Sequence, residues 1–149
     1  MINYDENWAL NIAVEASIKS PCQSKRGVVM WSRKLGIIST GFNAPPKISD
    51  CDGSDLCKSR CSKTAIHAEQ MAILNVGSSF VDTDDIEMLH VKTVNGKPVF
   101  SDRPSCYECS KLILGCKFIK YMWLYRKDGF TKYTAEDFHE QTLTNCGLK

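Results

Sequence analysis

The chain has 149 residues, 43% hydrophobic and 24% charged, the make-up of one ordinary globular domain. A chain this long buries roughly 68–70% of its unfolded surface, which excludes a disulfide-dependent miniprotein. Nineteen Lys+Arg against seventeen Asp+Glu leave a formal charge of +2, too balanced to imply duplex DNA binding by charge alone.

The first periodic segment runs from about Asp5 to Ser20. Trp8, Ile12, Ala13, Ala16 and Ile18 fall near one face, so it reads as an amphipathic helix ended by Ser20-Pro21. Val28-Val29-Met30-Trp31 and Ile37-Ile38-Ser39-Thr40 read as two strands, with Arg33-Lys34-Leu35-Gly36 turning between them. Gly41 to Lys63 reads as a long loop with two prolines and three cysteines. Loops of this length are usually functional or pinned by something. Thr64 is placed as the cap of a second helix, Ala65 to Asn75, with Ala68, Met71, Ala72 and Leu74 inward. Ile86 to Lys92 reads as a strand, and Val94-Asn95-Gly96-Lys97 as a hairpin turn. Ser105 precedes a third helix, Cys106 to Leu114, followed by an apolar strand from Phe118 to Tyr125. Asp128-Gly129 turns, and Thr134 starts a last helix towards Cys146. Helices alternating with strands predict a sheet covered by helices, in one domain over residues 1–149.

No apolar run reaches the roughly 18 residues a membrane span needs. The first residues, Met1 to Asn7, lack the basic patch and apolar stretch of a signal peptide, so a cytoplasmic protein is expected. Eight cysteines are then many. Clustered cytosolic cysteines are more often metal ligands or catalytic groups than disulfides.

Two short motifs carry chemistry. His67-Ala68-Glu69 opens the second helix, and Pro104-Ser105-Cys106-Tyr107-Glu108-Cys109 opens the third. One imidazole and two thiolates are three good zinc ligands, and three protein ligands with an open fourth position are the layout of catalytic zinc. Cys106 and Cys109 are three apart, so one helical turn can aim both at one ion. A helix N-terminus also favours the thiolate. Glu69, two residues past the histidine, is placed to move protons to and from water, provided the pair sits at the helix's first turn.

The chain resembles the zinc-dependent cytidine and deoxycytidylate deaminases, which carry His-Ala-Glu followed by Pro-Cys-x-x-Cys. The resemblance spans most of the chain and is strongest to the deoxycytidylate branch. Gly27-Val28-Val29, Ile37-Ile38-Ser39-Thr40-Gly41-Phe42-Asn43-Ala44 and His67-Ala68-Glu69-Gln70-Met71-Ala72-Ile73 match stretches of that branch. It implies an α/β, cytidine deaminase-like three-layer fold with a five-stranded mixed sheet. It implies zinc on His67, Cys106 and Cys109, with Glu69 deprotonating water, protonating ring N3 of cytosine and delivering a proton to leaving ammonia. It implies that Asn43 contacts the sugar and that the backbone near Ala68 binds the base edge. A homo-oligomer is implied on the same ground. The sequence departs from the family at Ser105, where proline usually adjoins the first zinc cysteine, and at Lys117, near which the family often has glycine. Ser105 is an extra residue between Pro104 and Cys106, and it can re-aim the base-binding carbonyl.

Cys22, Cys51, Cys57 and Cys61 form a second group, the last three separated by five and three residues. Four thiolates make a closed structural zinc site that would pin the long loop, and free thiols are the alternative. Some phage-type deoxycytidylate deaminases place cysteines of a second, structural zinc where Cys22 and Cys51 lie. Cys116 and Cys146 read as small buried hydrophobes. Lys25, Arg26, Arg126 and Lys127 are candidates for a nucleotide phosphate, and Tyr125 for packing on a base. His90 and His139 read as structural or exposed. The leading expectation is deamination of a cytosine nucleotide, dCMP to dUMP. The alternatives are deamination of bases in single-stranded nucleic acid, of a free nucleoside or other cytosine-containing metabolite, and a zinc-stabilised binding module without turnover. A nucleic-acid deaminase wants a basic groove with stacking platforms, against which the small net charge argues. A purely structural zinc site has no use for Glu69.

Overall fold

A computed structural model describes residues 1–76, 85–101 and 103–149. The chain begins with α1 (Glu6–Ile18), whose first turn is capped by Asp5 accepting from the Trp8 N–H at 2.9 Å. Then come β1 (Lys25–Ser32) and β2 (Gly36–Phe42), joined as the expected hairpin. The segment expected to be wholly irregular holds α2 (Asp55–Thr64), capped by Ser54. Thr64 therefore ends α2 rather than opening the next helix, α3 (Ala68–Val76). β3 (Ile86–Val94), the short β4 (Lys97–Val99), α4 (Tyr107–Gly115), β5 (Ile119–Arg126), β6 (Gly129–Thr134) and α5 (Ala135–Asn145) complete the order. Thr134 caps α5 as expected, accepting from the Asp137 N–H.

The sheet has six strands, in the order β2-β1-β3-β5-β6 with β4 added to β3. The family resemblance implied five; apolar patterning alone marked four, and the short β4 and β6 went unread. β3 and β5 are parallel, and every other pairing is antiparallel. The mixed sheet and three layers match the expected class.

Strand alternation sorts the core into two faces. Val28, Met30, Met88, Met122 and Leu124 pack with Ala68, Ala72, Ile113 and Phe138 of α3, α4 and α5. Val29, Trp31, Leu89, Val91 and Trp123 pack under Ala9 and Ala13 of α1. Each fully buried Leu, Val or Met contributes about 1.5–3 kcal/mol. Two apolar residues expected inward point out: Ile18 at the end of α1 is 56% exposed, and Leu74 near the end of α3 is 60% exposed. Helix α3 sits directly on β2, where Gly41 makes room: a Cβ there would lie 2.4 Å from the Ala68 carbonyl oxygen and 2.4 Å from the Ala72 nitrogen.

Candidate metal centres

His67 immediately precedes α3. Its carbonyl accepts from the Met71 N–H at 2.9 Å, and its own N–H donates to Gln70 Oε1 at 3.1 Å. That is half of a capping box, with His67 as the capping residue. Because His67 is outside the regular helix, it and Glu69 need not diverge as two residues of one helical turn do. The backbone bridge between Ala44 and Ile66 fixes the approach to this turn.

Cys106 caps α4 in an extended conformation, and its carbonyl accepts from the N–H groups of Cys109 and Ser110, each at 3.1 Å. Both sulfurs therefore face His67. Nδ1 of His67 lies 3.1 Å from Cys109 Sγ and 3.4 Å from Cys106 Sγ, and the two sulfurs are 3.6 Å apart. Zinc bonds of about 2.3 Å to sulfur and 2.0–2.1 Å to nitrogen give tetrahedral edges of roughly 3.6–3.8 Å. The triangle fits one face of such a site within a few tenths of an ångström.

Contact and burial shift all three groups. The Cys109 S–H and the His67 imidazole hold Cys106 down at about 4, and Cys109, sharing its proton with Cys106 and buried, is pushed up. His67 is raised by its contact with Cys106.

Glu69 borders this triangle and is 4% exposed. Ser105 Oγ donates to Glu69 Oε2 at 2.5 Å, and His90 Nε2 lies 4.0 Å from Oε1. Burial works against ionising Glu69, but His90 and the Ser105 hydroxyl outweigh it and hold the carboxyl below its usual range. Burial pushes His90 down.

No protein-family model and no curated protein matches the chain. Solved structures do match it. The dCMP deaminase of cyanophage S-TIM5 in its apo form superposes with a TM-score of 0.58 at 19% identity, over 91% of this chain and 90% of that one. The same phage enzyme in complex with dCMP and dUMP gives 0.52 at 20% identity, over 82% and 81%. Cytidine deaminase from Burkholderia pseudomallei gives 0.60 at 12% identity, over 90% and 95%. The chain has a cytidine deaminase-like fold. At these identities the likeness is one of fold.

Within that fold the sequence-predicted residues separate into two sets. His67, Glu69, Ser105, Cys106 and Cys109 converge, with Ala68 buried between the first two. Arg26 on β1 lies opposite Lys92 in the register, on the face that carries His90; its charge adds to the burial that lowers His90 and opposes, without reversing, the rise of His67. Asn43 uses its amide as a clamp: Oδ1 accepts from the Arg26 N–H at 2.8 Å, and Nδ2 donates to the Ser24 carbonyl at 2.6 Å.

Tyr125 is not brought to the site. It shares strand parity with Trp123, on the face away from α3, and its ring packs on Phe100 and Phe130 at 4.9 and 5.5 Å. Lys25 donates to the Ser20 carbonyl, and Arg126 donates to the Tyr133 hydroxyl at 2.9 Å. His139 pairs with Ser110 Oγ at 2.8 Å and ties α5 to α4. His90 was read as structural, yet it faces Glu69. Its signal was alternation: Met88, His90 and Lys92 share one face of β3, and Val28, opposite His90, lies against α3.

The second cysteine group also gathers. The sulfurs of Cys22, Cys51 and Cys61 lie within 4.8 Å of one another. Cys57 stands beside that trio, its Sγ 3.4 Å from Cys61 Sγ. Cys57 and Cys61 are one helical turn apart on the buried face of α2. The Asp52 backbone N–H, with the Cys61 and Cys51 thiols, pulls Cys57 down to about 7; Cys61 is pushed up to about 12 by its contact with Cys57 and by burial. These are sulfur donors with the right chemistry for zinc, and among the described residues the two groups are the clusters able to hold a metal ion. Cys116 is half-buried, but Cys146, expected inside, is exposed beyond the end of α5. Lys117 adopts φ 62°, the left-handed conformation that glycine takes without strain after a helix.

Proposed function

We propose that this chain is a zinc-dependent hydrolase that deaminates a cytosine nucleotide, converting dCMP and water to dUMP and ammonia. The observation that carries the reading is the His67, Cys106 and Cys109 triangle beside a buried Glu69 held by a hydroxyl. When bound there, zinc supplies Lewis acidity that makes water nucleophilic near neutral pH. The chain's own residues do the rest. Glu69 accepts the proton that water gives up and passes it to ring N3. The water oxygen bonds to C4, Glu69 takes the remaining proton of that new hydroxyl, and it delivers this proton to the nitrogen as the C4–N bond breaks and ammonia leaves. The Ala68 backbone meets the base edge, and the Asn43 clamp sets the wall on which the sugar rests. Arg26, the cation on the site's sheet face, takes the phosphate.

A nucleotide rather than a nucleic-acid substrate is supported by the near-neutral charge and by the dCMP and dUMP bound in one structure of the same fold. The second group, Cys22, Cys51 and Cys61 with Cys57 alongside, holds a structural zinc that pins α2 to the start of β1. One domain over residues 1–149, a homo-oligomer and a cytoplasmic setting belong to the same reading. Among the described residues no helix is long and apolar enough to cross a membrane.

The test is a panel of dCMP, CMP, dCTP, deoxycytidine, cytidine and a cytosine-containing oligonucleotide, followed by loss of ultraviolet absorbance with zinc-loaded protein. Turnover fastest on dCMP and abolished in Glu69→Ala is the expected result. Zinc-loaded wild type that turns over no free nucleotide or nucleoside refutes the reading.

A further inference from the structure

Two carboxylates are buried on the two faces of this sheet, and they are held differently. Glu87, 5% exposed, meets Arg33 Nε at 2.7 Å and Trp123 Nε1 at 2.9 Å. An arginine fork fixes its plane. Glu69, on the opposite face, is held by a hydroxyl at one oxygen and faces an imidazole at the other. A group that must hand protons to several atoms in turn needs its orientation set from outside, because misplacement by about 1 Å can cost a hundredfold in rate.

The partners come from two separate elements. Ser105 adjoins Cys106, the residue that caps α4, so its hydroxyl is fixed by the same turn that aims both sulfurs. His90 is 6% exposed in β3, paired with Val28 of β1 on one side and Leu124 of β5 on the other. Its imidazole therefore stands on the most firmly built part of the sheet. Ser105 is also one of the two positions at which the sequence departs from the deaminase pattern, where a proline would present no hydroxyl.

We propose that Ser105 and His90 are positioning residues for Glu69, Ser105 fixing Oε2 by its hydrogen bond and His90 closing the Oε1 side, so that the carboxylate keeps one orientation towards the metal centre. This rests on the deaminase reading. It assigns the hydroxyl at position 105 to orienting the proton carrier rather than to contacting the base.

The experiment compares wild type with Ser105→Ala, Ser105→Thr, Ser105→Val and His90→Leu by steady-state kinetics on dCMP, zinc content and melting temperature. It adds crystal structures of wild type and Ser105→Ala. Ser105→Ala and Ser105→Val are expected to lose about tenfold to a hundredfold in kcat, with KM within twofold and zinc retained. Ser105→Thr, which keeps the hydroxyl, is expected to stay within about threefold of wild type, and His90→Leu to lose about tenfold in kcat at unchanged KM. In the Ser105→Ala crystal the Glu69 carboxylate is expected to be turned or split. An unchanged kcat, or a raised KM at unchanged kcat, overturns the proposal. Should Ser105→Ala lose zinc, the Thr and Val variants decide, since they differ at the hydroxyl and hardly in shape. If wild type carries zinc but deaminates nothing, the deaminase reading falls, and the Glu69 orientation in the two crystals still decides whether Ser105 positions it.

Discussion

The two cysteine clusters gather their sulfurs in different surroundings. At the first, His67, Cys106 and Cys109 come from two helix starts that face each other, and a buried carboxylate borders them. At the second, Cys22, Cys51 and Cys61 gather with Cys57 beside them, and the other contacts of these thiols include the carbonyls of Pro21, Asn43 and Asp50. Each cluster brings three donor atoms within 4.8 Å of one another, and the second has Cys57 Sγ 3.4 Å from Cys61 Sγ besides. What separates the two clusters is therefore the imidazole among the donors of the first and the buried carboxylate beside them.

Crossed substitutions test that division. Cys106→Ser is expected to remove one zinc per chain and lower kcat at least about a thousandfold, read by metal analysis and the dCMP assay. Turnover that survives the loss of that zinc breaks the comparison. Cys61→Ser is expected to remove the other zinc, cost of order 3 kcal/mol in denaturant unfolding and change kcat only a few-fold. A kcat loss as deep as that of Cys106→Ser would put both clusters in the chemistry. Gly41→Ala sharpens the contrast by moving α3 alone: a Cβ 2.4 Å from two backbone atoms is expected to cost about 2–3 kcal/mol and to reduce kcat while the zinc at the thiol cluster stays. Lys117→Gly touches neither cluster and is expected to raise stability by about 0.5–1 kcal/mol, measured by chemical denaturation, because it relieves the left-handed backbone.

The long periodic elements were legible in the sequence: α1, the β1–β2 hairpin, β3, α4, β5 and α5 fall close to where apolar spacing put them. Helix α2 was not, because Asp55–Thr64 is polar apart from Leu56 and its two thiols, and a face built of sulfur carries little hydrophobic signal. Ser54 before Asp55 was the cap that could have announced it. Ile18 and Leu74 misled because apolar residues at helix ends can point past the core. The metal triangle was legible because its three ligands sit in two short local motifs. His90 and Tyr125 were not, since a strand residue's role depends on parity, and parity means little until a sheet face is known to carry the site. Asn43 shows a further limit: an amide that clamps backbone and one that touches ligand look alike in sequence.

Residues 43 and 44 are where the two clusters share a wall. The Asn43 carbonyl accepts from Ser20 Oγ at 2.6 Å and from Cys22 Sγ at 3.8 Å, its amide grips the start of β1, and Ala44 bridges to Ile66 beside His67. Two consecutive residues thus tie the turn that carries Cys22 to the turn that carries His67. Both clusters are thereby set against one stretch of backbone, so the position of each is fixed relative to the same two residues.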